Sequence, residues 1–223
     1  MGLSAGVVCA IGTLLVVAVD WGSGIDTRLV GRLVEYRSRA LLQAARHVTN
    51  AGLLSVLLVA SAAFAVGVSR RLGWRADGAP ALSLVIGSVV SQTLKQWFER
   101  PRPPLALRAT ATSGWAFPSG HATNAAAFFV ATAMVLLVLV VRERAWRIAV
   151  ISGATLLVLL VGASRVVLAA HWPRDVLAGW AVGLLVACAC AAISLWSPAR
   201  TVEVGGTLDE LVTPVAERLN QKV

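Results

Sequence analysis

Three short stretches hold the residues whose types and spacing could do chemistry. "KQWFERPRPP" sets Lys95 and Arg102 on the same strip of chain, with six residues between them. "AFPSGHATN" places Pro118, Ser119, Gly120 and His121 just before a long apolar run, and "SRVVLAAHWPRD" carries Ser164, Arg165, His171 and Asp175. Lys95, Arg102 and Arg165 suit a phosphate, which they would neutralise and hydrogen-bond, the arginines through planar forks. Ser119 and Gly120 precede an expected helix. Backbone N–H groups point outward there, and a glycine lets an anion approach closely. His171 suits a nucleophile, because imidazole is substantially neutral near pH 7 and attacks phosphorus well. Asp175 is expected to hold the other ring nitrogen and to stabilise the imidazolium formed on attack. Pro173 fits the first turn of a helix, which would bring His171 close to Asp175. His121 is then left to protonate the leaving oxygen.

Taken singly, each residue has a plainer reading. His121 could cap a helix, Lys95 and Arg165 could reach from helix ends toward water, and Asp175 could be a favourable charge at a helix N-terminus. It is the joint spacing that favours chemistry. His47 stands outside the three stretches and reads as a polar residue near a membrane interface. Arg100, Arg108 and Arg174 read as contacts to lipid headgroups. Trp115, Trp172 and Trp180 read as interfacial, with Trp115 and Trp172 also shaping the mouth of a site.

The elements that must position these residues are membrane helices. Only 14% of the 223 residues are charged and 57% are hydrophobic, against about 25% charged in soluble domains. Six uncharged stretches approach or reach the roughly 17–25 residues that cross a bilayer. They run Leu3–Val19, Ala51–Ser69, Ala79–Leu94, Ala122–Val141, Ile148–Ser164 and Val176–Trp196. The third is the shortest, but Lys95 could snorkel from its end, and Trp97 with Phe98 would suit an interfacial belt. No positive charge precedes the first span, which therefore reads as a retained helix. An all-α bundle of six spans over residues 1–196 is expected, followed by a short polar tail over residues 197–223.

Six spans put the loops after spans one, three and five on one face. The loop after span one has apolar residues at helical spacing (Leu29, Val30, Leu33, Val34) and reads as a helix lying on the membrane surface. The loops after spans three and five bring all the candidate residues to that same face. The net charge of +9 does not imply nucleic acid. The basic residues sit in short loops between apolar spans, where lipid headgroups and phosphate substrates are the natural partners. Setting Lys95, Arg102 and Arg165 aside as chemical groups leaves eight Lys and Arg on that face and nine on the other, so charge does not orient the chain. Cys9, Cys188 and Cys190 all fall inside expected spans and read as small packing residues. No cluster has metal-ligand spacing, and no metal or other cofactor is expected.

Together the three stretches resemble the membrane branch of the type 2 phosphatidic acid phosphatase (PAP2) superfamily. Its signature of K-x6-RP, then PSGH, then SR-x5-H-x3-D is complete here as Lys95–Pro103, Pro118–His121 and Ser164–Asp175. The resemblance implies a phosphohistidine mechanism without metal and a fold shared with vanadium-dependent haloperoxidases. It also implies a site on the extracytoplasmic face of a bacterial plasma membrane.

The expected activity is therefore that of a membrane phosphatase acting on a lipid phosphate or diphosphate. Isoprenoid diphosphate is the first choice of substrate, with phosphatidate and phosphatidylglycerol phosphate next. A lipid phosphotransferase would use the same intermediate but hand it to an alcohol, and product analysis with an added acceptor separates the two. A six-span transporter is a weaker rival, since it needs polar groups inside the membrane whereas these cluster at span ends. Oligomeric state leaves no mark in the sequence.

Overall fold

The computed structural model describes residues 24–72 and 74–195. The expected first span, Cys9 and the polar tail lie outside the described residues. What is described is helical: α1 (Ile25–Tyr36), α2 (Arg39–Thr49), α3 (Leu54–Leu72), α4 (Trp74–Phe98), α5 (Gly120–Val135), α6 (Arg144–Val167) and α7 (Pro173–Leu195). A 3-10 turn, Asn50–Gly52, joins α2 to α3, and a π-helical turn, Leu136–Val140, extends α5.

Three of these helical segments are long and apolar enough to cross a membrane: Gly120–Val140, Arg144–Val167 and Pro173–Ser194. A fourth is reached if Arg39–Gly52 and Leu54–Gly67, bent by 54°, count as one broken span. Six spans are thus not found among the described residues. The expected third span lies in α4, which is longer than expected at 25 residues. It is also less apolar, because Ser88, Ser91, Gln92, Lys95 and Gln96 punctuate it.

The helix α5 packs against α3, α4, α6 and α7. Its approach to α7 is close because Gly179 and Gly183, four residues apart, present no side chain. A Cβ on Gly179 would lie 2.6 Å from the Ser119 carbonyl oxygen, and one on Gly183 would lie 2.5 Å from that of Thr123. Small residues at this spacing let membrane helices touch backbone to backbone. The facing residues on α5 are small as well: Ala122, Thr123, Ala126 and Ala127 are all buried.

The stretch expected to be one surface helix is two, α1 and α2, broken at Arg37–Ser38. The Ser38 hydroxyl accepts the Leu41 amide (3.1 Å) and so starts the second. These helices are tied to the bundle. Arg37 donates to the carbonyls of Val167 (3.2 Å) and Leu107 (2.6 Å), and Arg46 to that of Ala109 (3.0 Å). Val30 and Ala45 are buried against the bundle, although Leu29 remains exposed. The segment clamps the end of α6 and the loop before α5.

Candidate active site

The chain reverses direction twice at one end of the bundle. Lys95 sits in the last turn of α4 and His121 in the first turn of α5; Arg165 ends α6, and Asp175 begins α7. Between α6 and α7 Ala169 takes a left-handed conformation (φ 49°), and the amides of Ala170 and His171 both turn back to the Arg165 carbonyl (3.0 and 3.3 Å). This tight hook buries Leu168, Ala169, Ala170 and His171. Pro173 is the first residue of α7, where its missing N–H costs nothing.

Lys95, Arg102, Gly120, His121, Arg165 and His171 line one open cavity of about 810 Å³. His171 is 2% exposed. Its Nδ1 lies 2.8 Å from the Ala116 carbonyl oxygen. A carbonyl only accepts, so Nδ1 carries the proton and Nε2 the lone pair. Arg102 Nη1 stands 3.0 Å from that Nε2 and donates to it, while also bonding the Ala170 carbonyl (2.8 Å). Burial first, and then the positive charges of Arg102, Lys95 and Arg165, push the His171 imidazole well below its ordinary 6.5. The ring is neutral at pH 7, with its unprotonated nitrogen facing Arg102.

Asp175 departs from the expected geometry. Its Oδ2 lies 3.6 Å from His171 Nδ1, within ion-pair range but beyond a hydrogen bond. That oxygen instead accepts the Trp172 amide (2.8 Å), and Oδ1 accepts Arg100 Nη1 (2.6 Å). The carboxylate reaches the ring as a nearby negative charge, and Ala116 fixes the tautomer.

Arg100 is not a headgroup contact. It is 6% exposed and bridges two carboxylates, Asp175 and, through Nη2, Asp26 of α1 (2.6 Å). Glu99 at φ 46° ends α4 just before Arg100. Arg108 is also turned to protein, donating to the Pro103 carbonyl (2.6 Å), and the Arg174 amide donates to Asp26 (3.3 Å). Trp172 binds the Pro101 carbonyl (2.9 Å) through its indole N–H, and Trp115 lines the cavity. Trp180 sits inside the bundle, donating to the Val158 carbonyl (3.1 Å) and packing over Gly162. Of the expected belt pair, Trp97 is exposed, while Phe98 packs edge-on against Phe117 with centroids 4.9 Å apart. His47 is exposed on α2.

The anion site expected at the start of α5 is only partly open. The Ser119 amide donates to the Asp175 carbonyl (2.8 Å), and Ser119 is fully buried behind the cavity wall. Gly120 and His121 lie in the first helical turn, where amides lack intrahelical acceptors. Lys95 Nζ donates to the carbonyls of Pro118 and Trp115, which ties α4 to this turn. Arg165 Nη1 donates to Thr49 Oγ1 (2.8 Å) at the end of α2, and its Nε is buried with no partner. The Ser91 hydroxyl is likewise buried and unpartnered, one helical turn before Lys95. Sequence spacing missed Asp26, Thr49, Ser91 and Arg100. Only Ser91 left a signal, as a polar residue one turn from Lys95 in an apolar helix.

The PAP2 superfamily model matches residues 78–198, more than half of the chain. The chain is an integral membrane protein of the PAP2 superfamily. It is 36% identical over 107 residues to phosphatidylglycerophosphatase B of Bacillus subtilis (strain 168), covering 46% of this chain and 51% of that protein. It is 30% identical over 127 residues to the undecaprenyl-diphosphatase of Sulfolobus acidocaldarius, covering 55% and 57% respectively. The chain therefore spans about half the length of these curated relatives. The fold is similar to the crystal structure of a transmembrane PAP2-type phosphatidylglycerolphosphate phosphatase from Bacillus subtilis. The TM-score is 0.79 at 26% identity, over 87% of this chain and 98% of that one.

Proposed function

We propose that this chain is a membrane-embedded phosphatase that removes a phosphoryl group from a lipid phosphate or diphosphate through a phosphohistidine on His171. One observation carries the reading: a buried neutral imidazole, proton fixed on Nδ1, aims Nε2 at Arg102 in a cavity shared with Lys95, Arg165 and His121.

In this reading a substrate phosphate takes over the Arg102 N–H that now rests on Nε2. It also satisfies the unpartnered Arg165 Nε, and Lys95 adds the third positive charge. His171 Nε2 forms a bond to phosphorus as the bond to the leaving oxygen breaks. The incoming phosphate, bound as its monoanion, hands its proton to His121, which lines the cavity, and His121 passes it to that oxygen. The phosphorylated imidazolium keeps its Nδ1–H on Ala116, and the nearby Asp175 carboxylate offsets its charge. Water, deprotonated by the now neutral His121, then attacks phosphorus, releasing phosphate and restoring the His171 ring. The three cations carry the charge neutralisation that a metal ion supplies in other phosphatases, so no metal is required.

Isoprenoid diphosphate, phosphatidate and phosphatidylglycerol phosphate are the candidate substrates, the first and third in keeping with the names of the two curated relatives. The site faces the extracytoplasmic side of a bacterial plasma membrane. The experiment is phosphate release by purified protein across those lipids, with and without EDTA. Release that persists in chelator is expected. Activity lost in EDTA and restored by Mg²⁺ would contradict the cation-only site.

A further inference from the structure

The α4 face that bears Lys95 also bears Ser88, Ser91, Gln92 and Gln96, at the three- and four-residue spacings that stack on one side of a helix. All four line the catalytic cavity. Ser88 precedes Lys95 by seven residues, about 10 Å along the axis toward the bilayer. Asn124 follows His121 by three residues on α5, which runs the other way, so it too lies on the bilayer side and lines the cavity. Hydroxyls and amides at this depth need protein, water or a ligand to satisfy them.

Their hydrogen bonds define what that ligand must offer. Ser88 Oγ donates to Asn124 Oδ1 (2.8 Å), which leaves the Asn124 NH2 as a donor. Ser91 is 1% exposed, yet its hydroxyl has no partner. A buried hydroxyl left unmade beside a cavity marks a place for an acceptor. None of these side chains carries a charge, and the positive groups all lie at the Lys95 end.

We infer that Ser88, Ser91, Gln92 and Asn124 form a second subsite for an uncharged, oxygen-bearing linker, the ester and hydroxyl oxygens between phosphate and tails in a glycerolipid phosphate. This rests on the lipid phosphatase reading and selects a substrate class within it. With the phosphate held at the Lys95 end and the tails in the bilayer, the linker lies against Ser91 and Asn124. A prenyl phosphate offers only hydrocarbon at that level and leaves both donors unpaired once water is displaced. A prenyl diphosphate sets a second anion there, with no cation to meet it.

The test compares kcat/KM for phosphate release by the purified full-length protein from didecanoyl phosphatidate, farnesyl monophosphate and farnesyl diphosphate in matched micelles. Two hydrogen bonds made by the first lipid alone correspond to a preference of about 10-fold or more. The triple variant Ser88→Ala, Ser91→Ala, Asn124→Leu removes both members of the Ser88–Asn124 pair, so no polar group is buried unmatched. It should bring the phosphatidate-to-farnesyl ratios to within about threefold of one. Should the triple variant not fold, Ser91→Ala alone should still lower those ratios by about threefold. A wild type that favours either prenyl substrate overturns the subsite and leaves the lipid phosphatase reading standing. So does a variant that loses all three activities in proportion. Cleavage of a small aryl phosphate but of no lipid overturns that reading, and the subsite with it.

Discussion

At the scale of single residues, two buried groups at the candidate site, His171 and Arg100, can each be tested by thermal unfolding. His171 is buried and its imidazole is held well below 6.5 by burial and then by Arg102, Lys95 and Arg165. In the unfolded chain the same ring protonates near 6.5. As pH falls below 6.5 the unfolded state takes up a proton that the folded state refuses. Stability is therefore lost from 6.5 down toward the depressed folded value, by at most about 1.4 kcal/mol per pH unit. We expect the melting temperature of wild type to drop more between pH 7.5 and 5.5 than that of His171→Gln; parallel drops would mean the ring is not held neutral. Arg100 is the second group, since it pairs Asp175 with Asp26 in a largely buried bridge. Arg100→Ala strands two buried carboxylates and should cost about 3–5 kcal/mol. Asp26→Asn leaves the Asp175 pair intact and should cost much less. The reverse order would contradict the bridge.

At the scale of elements, the bundle depends on where glycines are crowded and where they are not. A Cβ on Gly183 would fall 2.5 Å from the Thr123 carbonyl oxygen, whereas one on Gly153 of α6 meets nothing within 4 Å. Gly183→Ala should therefore destabilise by about 1–3 kcal/mol through overpacking. Gly153→Ala should be neutral or stabilising, by up to about 1 kcal/mol, through helix propensity. Melting both variants in one detergent checks this; a tolerated Gly183→Ala would mean that α5 and α7 do not touch as described. The same helices show how far the sequence was legible. The apolar runs behind α5, α6 and α7 were plain, because a bilayer demands length and composition that few other contexts do. The surface segment was misread as one helix because its apolar spacing runs on past Arg37, and only the Ser38 cap marks the break. Lys95, Arg102, Gly120, His121, Arg165 and His171 were legible as a group because they stand at the spacings of the PAP2 signature, and the structure brings them to one cavity. Arg100 and Thr49 were not, because their partners Asp26, Asp175 and Arg165 come from helices distant in the chain. Spacing along one segment carries no trace of such pairs.

At the scale of the whole molecule, the ends of α4, α5, α6 and α7 that carry Lys95, His121, Arg165 and Asp175 converge on one face of the bundle. Charge counting could not orient that face, because much of its positive charge serves the site or, like Arg100 and Arg108, the fold. Labelling does orient it. Ala106→Cys, in the exposed loop before α5, should react with a membrane-impermeant maleimide in intact bacterial cells, and reaction only after permeabilisation would place the site on the cytoplasmic side. The claim on which the rest depends is that His171 Nε2 takes the phosphoryl group. Rapid-quench mixing of the purified protein with a phosphorus-labelled lipid phosphate should trap an acid-labile, base-stable phosphoenzyme in wild type and none in His171→Ala. Label retained at wild-type level by a folded His171→Ala would contradict the assignment of the nucleophile.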